Sequence, residues 1–320
     1  MTPILHATAD NPVPGNHVAG FFEGAGGVKI RYAIFRCTGT DARGTVVLLQ
    51  GRNESIEKYF ETVRDLTARG LWVAAFDWRG QGGSDRLLPH LRRGHVQRFA
   101  DYETDLSLFL EKVVLPDTRL PFFLLAHSMG ALVALSQAPV LASRIERMVL
   151  AAPFVALGGQ VLNQRAIAAI SRLAVLSGLG TRTFRKDIPE LAFTGNMLTS
   201  DQARFTRNRA ILAERPELSL GPPTARWLDE MLRAMDRVTR QDHLTTITIP
   251  TLVFCATADR LVPRKALNTL ARHFRAGRLI EIDGGRHELL HEADRYRAQV
   301  MAAIDAFIPG SDAGWADFGT

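Results

Sequence analysis

The chain is poor in the features that mark several protein classes. It has only two cysteines, Cys37 and Cys255, far apart in its 320 residues. They give no disulfide framework. Both sit in apparent strands and read as buried thiols, which suits a reducing compartment. There is no run of roughly 18 apolar residues, so no transmembrane helix is expected. The start, MTPILHATADNPVPGNHVAG, lacks a basic segment followed by an apolar one, so no secretory leader is expected. A cytoplasmic protein is the expectation, with the inner membrane surface as a place where it could act. No internal repeat, low-complexity block or run of like charge occurs. Apolar residues make up 46% and charged residues 22%, ordinary values for a globular chain. A chain of this length can bury most of the surface it exposes when unfolded.

The net charge is +6. A basic surface can meet nucleic acid or anionic lipid. These charges are scattered and no nucleic-acid motif accompanies them, so nucleic acid is not expected as a partner. A solvated basic surface is the simplest reading, and peripheral contact with an anionic membrane is the better functional one.

What is present is an alternation. VKIRYAIFRC, TVVLLQ, LWVAAFDW, PFFLLAH, RIERMVLAAP, TLVFCAT and RLIEI read as strands. Several are apolar throughout, as strands buried on both faces must be. Between them, SIEKYFETVRDLTARG, RFADYETDLSLFLEKVV, GALVALSQA, RKALNTLARHF and LLHEADRYRAQVMAAIDAFI have helical spacing. The first of these stops at Gly70. The economical architecture is α/β, a mostly parallel central sheet flanked by helices.

Residues 155–241 break this rhythm and read as helices only. They are expected to form a helical cap inserted into a core made of residues 1–154 and 242–320, with 1–20 and 309–320 as loose termini. Ile167, Ile170, Leu173 and Ala174 form one stripe in the insertion. Trp227, Met231, Met235 and Val238 form another. Both stripes are expected to pack on the core, with part of each, above all Trp227, Met231 and Met235, lining an acyl-chain pocket.

Chemistry in such a sheet gathers at the carboxyl ends of the strands. Ser128, in LLAHSMGA, follows a strand and opens a helix, the place of a nucleophile elbow G-x-S-x-G. Gly130 fits the pattern, and Ala126 stands where it has its first glycine. The backbone N–H of Met129 then faces the oxygen of a bound carbonyl. A second donor is expected from the Arg52 N–H in VVLLQGRNES, where Gly51 lets the backbone come close. Asp259 follows the strand TLVFCAT, and His287 follows RLIEI and the turn DGGR. The order Ser128, Asp259, His287 makes a nucleophile, an orienting acid and a base. Asp283 is a rival acid that reads more simply as part of a turn. His127 is expected to be structural, with its ring packed under the loop, and His95 to be a loop histidine.

One stretch has a second reading. His287, Glu288 and His291 spell H-E-x-x-H, which on a helix binds zinc. Gly284 and Gly285 stand directly before it, and no third ligand follows at a suitable spacing. Glu288 is therefore read as a first-turn acid of a helix, His291 as a residue on that helix, and the site as holding no metal.

With these residues in view, the chain resembles an α/β-hydrolase of the monoglyceride lipase and bacterial lysophospholipase branch, over roughly residues 20–308. DWRGQGGSDR, Asp77 to Arg86, matches D-x-R-G-x-G-x-S. QGRNESIEKYFE occupies the place of H-G-x-x-E, with Glu54 retained and Gln50 replacing the histidine. That replacement puts in question the hydrogen bonds bracing the oxyanion loop. RFTRNRAILAERPELSLGPPTARWL is similar to the cap of the bacterial lysophospholipases. The resemblance implies hydrolysis of a carboxylic ester through an acyl-enzyme on Ser128, with no cofactor. It implies a single-chain lipid as substrate, a lysophospholipid or a monoacylglycerol. A general carboxylesterase or an aminopeptidase-like hydrolase of the same fold is the alternative. Less favoured are a non-catalytic lipid- or protein-binding version of the fold and a zinc protease. Arg182, Arg185 and Lys186 could meet a phosphate, though a solvated face is the simpler reading.

Overall fold

The computed structural model describes residues 3–39, 42–187 and 192–309. Its strands are β1 (His17–Glu23), β2 (Lys29–Phe35), β3 (Thr45–Leu49), β4 (Trp72–Phe76), β5 (Phe122–His127), β6 (Arg147–Ala151), β7 (Thr251–Ala256) and β8 (Gly277–Ile282). They form one sheet in the order β1-β2-β4-β3-β5-β6-β7-β8. β1 and β4 each pair antiparallel with β2. From β4 to β8 every neighbouring pair is parallel.

The helices are α1 (Phe60–Ala68), α2 (Phe99–Phe109), α3 (Leu115–Asp117), α4 (Met129–Leu141), α5 (Gln164–Leu176), α6 (Gln202–Glu214), α7 (Ala225–Val238), α8 (Gln241–Thr246), α9 (Arg264–His273) and α10 (Asp294–Phe307). A π-helical turn, Leu110–Val114, joins α2 to α3. The apolar strands serve two cores because successive side chains point to opposite faces. Val47 and Leu49 join a cluster with α2, α4, α7 and α9, while Val46 and Leu48 join one with α1 and α10. α1 ends as the sequence suggests. Gly70 takes φ 80°, and Leu71 N donates back to the Leu66 carbonyl, a glycine-terminated helix end.

Between β6 and β7 lie α5 to α8, with no strand of the sheet among the described residues. Asn163, Asp201 and Thr224 start α5, α6 and α7, each accepting a backbone N–H of the first turn. Such caps satisfy N–H groups the helix itself leaves open. No helix among the described residues is long and apolar enough to cross a membrane.

Four expectations need correction. Of the first twenty residues, the described ones, 3–20, are not loose: His17–Glu23 form the edge strand β1, Leu5 is buried, and Asn11 donates to the Glu57 carbonyl. At the other end, residues 310–320 lie outside the described residues. The last helix starts at Asp294 rather than Leu289, because Leu289–His291 make a separate 3-10 turn. The α5 stripe does not pack whole on the core, since Leu173 is 66% exposed. Cys37 lies just past β2 and Cys255 within β7; both are buried and free.

Candidate active site

Three loops at the carboxyl ends of parallel strands bring the predicted groups together. Ser128 sits between β5 and α4 with φ 50° and ψ −112°, a conformation that costs a side-chain-bearing residue about 1–3 kcal/mol. Tight packing holds it there. A Cβ on Gly130 would come within 2.6 Å of the Leu49 carbonyl oxygen, so only glycine fits. Ala126 has no such conflict, because its methyl is absorbed by the apolar cluster above β5. That is why the motif tolerates alanine there.

His287 Nε2 lies 2.9 Å from Ser128 Oγ, and its Nδ1 lies 2.7 Å from Asp259 Oδ2. The other oxygen of Asp259 accepts the N–H groups of Leu261 and Val262 at 2.7 and 3.1 Å. Burial pushes the Asp259 carboxyl up, but His287 and the two N–H donors outweigh it and hold the group below its ordinary value. Asp259 is thus an anion facing the imidazole, oriented so that Nε2 can take a proton from Oγ. The rival Asp283 instead accepts from Thr257 Oγ1.

The loop after β3 is braced although Gln50 replaces histidine. Gln50 Nε2 donates to Asp77 Oδ1 at 2.5 Å, and the Trp78 indole donates to the Gln50 carbonyl at 2.8 Å. Gln81 Nε2 donates to the Gly51 carbonyl at 2.9 Å, and Gly51 N donates to the Glu54 carboxylate. A Cβ on Gly51 would stand 2.8 Å from that carboxylate. The backbone N–H groups of Arg52 and Met129 have no hydrogen-bond acceptor among the described residues. Both residues line one cavity with Ser128 and His287.

Beneath the loop lies a charged network that the sequence did not disclose. Glu54 accepts from Lys58 Nζ and Tyr59 OH, both at 2.7 Å, and sits 3.2 Å from His127 Nδ1. Lys58 also reaches Glu288 at 2.6 Å. His127 Nε2 lies 3.2 Å from the His287 carbonyl oxygen. His127 is therefore structural, as expected, but it supports the base directly. Burial would push Glu54 up and His127 down. The charges of Lys58 and His127 on Glu54, and of Glu54 on His127, reverse both shifts. The only sequence signal was Glu54 and Lys58 one helical turn apart; their partner Glu288 is 230 positions away from Lys58.

Glu288 and His291 differ from expectation. Glu288 pairs with Lys58 instead of opening a helix. His291 lies in the 3-10 turn, its ring 4.8 Å from that of Tyr59. Burial and nearby Lys58 hold it well below the usual histidine value. H-E-x-x-H needs both histidines on one helical face, and residues 287–291 form no such face. No cluster of three or more His, Cys, Asp or Glu able to hold a metal occurs among the described residues. His95 is buried, with Nδ1 2.9 Å from the Thr224 hydroxyl.

The cavity measures about 910 Å³ and is mostly apolar. Trp227 lines it, with Phe154, Leu157, Ile167, Ile170 and Phe184. Met231 and Met235 do not. They are buried further along α7, in one apolar cluster with residues of α4. Regular helical spacing does not tell a wall residue from a core residue one turn away. Arg185 reaches the cavity and donates to Gln160 Oε1 at 2.7 Å. Lys186 lies beside it in a small basic side cavity, and Arg182 is exposed.

The family described as serine aminopeptidase S33 matches residues 40–294. Lysophospholipase L2 of Escherichia coli K12 is 34% identical, covering 89% of this chain and 86% of its own length. A probable lysophospholipase L2 of Haemophilus influenzae is 30% identical, covering 90% and 91%. A soluble variant of monoglyceride lipase from Saccharomyces cerevisiae, solved with a substrate analogue, superposes with a TM-score of 0.75 at 20% identity, covering 94% and 96%. The chain belongs to the serine aminopeptidase S33 family of α/β-hydrolases, in its lysophospholipase and monoacylglycerol lipase branch.

Proposed function

We propose that this chain is a serine ester hydrolase that removes the acyl group from single-chain lipids, a lysophospholipid or a monoacylglycerol. The observation that carries this reading is the hydrogen-bonded line Ser128–His287–Asp259 opening on a large apolar cavity. Ser128 Oγ attacks the ester carbonyl as His287 takes its proton. The N–H groups of Arg52 and Met129 receive the oxyanion, the contact that usually contributes most to such catalysis. His287 then protonates the departing glycerol oxygen, leaving an acyl-serine. Water, deprotonated by His287, releases the fatty acid and restores Ser128. The insertion, residues 155–241, acts as a cap, and the acyl chain lies along Phe154, Ile167 and Ile170.

A substrate panel tests this reading. Lysophospholipid and monoacylglycerol should be cleaved with kcat/KM well above those for short p-nitrophenyl esters and aminoacyl amides. Preference for the amides would replace it with the aminopeptidase alternative.

Peripheral membrane contact has its own support. Val161, Leu162, Leu173 and Leu176 are between 50% and 103% exposed on and before α5. Arg165 and Arg172 lie exposed on the same helix. Exposed apolar side chains rimmed by cations suit an anionic lipid surface. Co-sedimentation with anionic vesicles should fall several-fold in a Leu173→Asp, Leu176→Asp double variant. Equal binding by both proteins would remove this part of the proposal.

A further inference from the structure

Arg52 offers more than its backbone N–H. Its side chain is more unusual. Arg52 lines the same cavity as Ser128, Met129 and His287. Nη2 donates to the Gly221 carbonyl. Nε is buried with no partner. Among the described residues no carboxylate lies within ion-pairing distance of it. The two acids that also line the cavity, Glu54 and Glu288, are both held by Lys58. Besides the Gly221 carbonyl, its charge meets the face of the Trp227 ring, 5.3 Å away. Burial pushes the group down to about 10, with only the Tyr102 hydroxyl acting in the other direction. A buried cation without an anion is costly. An anion brought by a ligand would offset that cost.

Covalent geometry says which anion fits. The bonds from the Arg52 backbone nitrogen to its guanidinium carbon equal in number those from the ester carbonyl carbon to phosphorus in a 1-acyl lysophospholipid. An ester carbonyl held at the Arg52 N–H therefore has a phosphate on a tether long enough to reach the Arg52 fork. Arginine is suited to this, since its planar donors match phosphate oxygens in pairs. We propose that the Arg52 side chain is a specificity-determining contact for the headgroup phosphate of a 1-acyl lysophospholipid. This inference rests on the ester-hydrolase reading above. It adds a residue that separates the phosphate-bearing substrate from the neutral monoacylglycerol.

The test is a ratio. kcat/KM is measured for a 1-acyl lysophosphatidylglycerol and for the 1-monoacylglycerol of the same chain, in wild type, Arg52→Met and Arg52→Lys. In Arg52→Met the ratio of the first to the second should fall about 10- to 100-fold, the loss expected for a charge-assisted hydrogen bond. Arg52→Lys should fall less, because it keeps the charge and loses the fork. If both substrates decline together in Arg52→Met, the side chain only supports the oxyanion loop and the inference is overturned. A wild type that cleaves monoacylglycerol but not the lysophospholipid also overturns it, while leaving the ester-hydrolase reading intact. A wild type that cleaves neither ester removes that reading as well.

A second measurement needs no variant to fold. sn-Glycerol 3-phosphate should inhibit wild-type hydrolysis of a p-nitrophenyl ester at a concentration at least about 10-fold below glycerol, the factor set by one charge-assisted contact. Equal inhibition by inorganic phosphate would mark a free-anion site and overturn the headgroup assignment. Equal weakness of glycerol and its phosphate would overturn the inference outright.

Discussion

The floor and the wall of the active site treat buried charge in opposite ways. On the floor every cation has an acid. Arg31 reaches Glu57 at 2.7 Å and Asp77 at 2.5 Å, and all three are buried. Lys58 bridges Glu54 and Glu288. These partners push Arg31 above its ordinary value despite burial. On the wall, Arg52 has a carbonyl and an aromatic face, and burial pushes it down. Matched charge holds loops in place, whereas the unmatched charge of Arg52 is the one we infer to meet a ligand. The two regions meet at adjacent residues: Gly51 N donates to Glu54 on the floor, and Arg52 Nη2 donates to the Gly221 carbonyl on the wall.

The largest effect should come from removing the group that lies between them. Ser128→Ala should lower kcat/KM on esters by about 10⁴-fold or more, with an unchanged urea midpoint. A variant that unfolded instead would assign Ser128 to the structural floor.

Next is the contrast between the two arginines. Arg31→Met leaves Glu57 and Asp77 facing each other without their cation, and should destabilise by about 3–5 kcal/mol. Arg52→Met strands no acid and should change stability by no more than about 1 kcal/mol. Urea unfolding of both variants measures the difference. Equal losses would dissolve the comparison.

The smallest effect is a pH dependence on the floor. The Glu54 carboxyl is held well below its ordinary value, because Lys58 and His127 more than offset burial. Its contribution is full above the unfolded value of about 4.3 and is lost as pH falls through the folded value. His127 is raised by Glu54 against the effect of burial. Its contribution is full below about 6.5 and is lost as pH rises through the folded value. Glu54→Gln removes both, so its stability deficit, about 1–3 kcal/mol, should be widest between about pH 5 and 6.5. Denaturant midpoints across that range check the sign. A deficit that grew steadily with pH would contradict it.

That Ser128, Asp259 and His287 would meet at one place was legible because each depends on a local pattern. Ser128, Asp259 and His287 each follow a strand, and a parallel sheet collects those ends on one edge. Gly130 was legible for the same reason. β1 was missed because HVAGFFE is mostly exposed at the sheet edge and its apolar run is broken by Gly20, a residue depleted in strands. The onset of α10 was misplaced because Glu292, which looks helical in sequence, is occupied elsewhere. Its carboxylate accepts from Ser200, Arg286 N and Ala293 N. Met231 and Met235 were assigned to the cavity because periodicity gives a face and not a depth. The lone cation at Arg52 could not be read at all. It depends on which acids fail to come near, and only the fold decides that.

The central claim is that Ser128 is a nucleophile activated by His287. Its most direct test is covalent labelling with a fluorophosphonate followed by peptide mapping. The label should sit on Ser128 at one equivalent per chain, and loss of ester turnover should track its incorporation. Labelling at another residue, or full turnover by a chain labelled at Ser128, would contradict it.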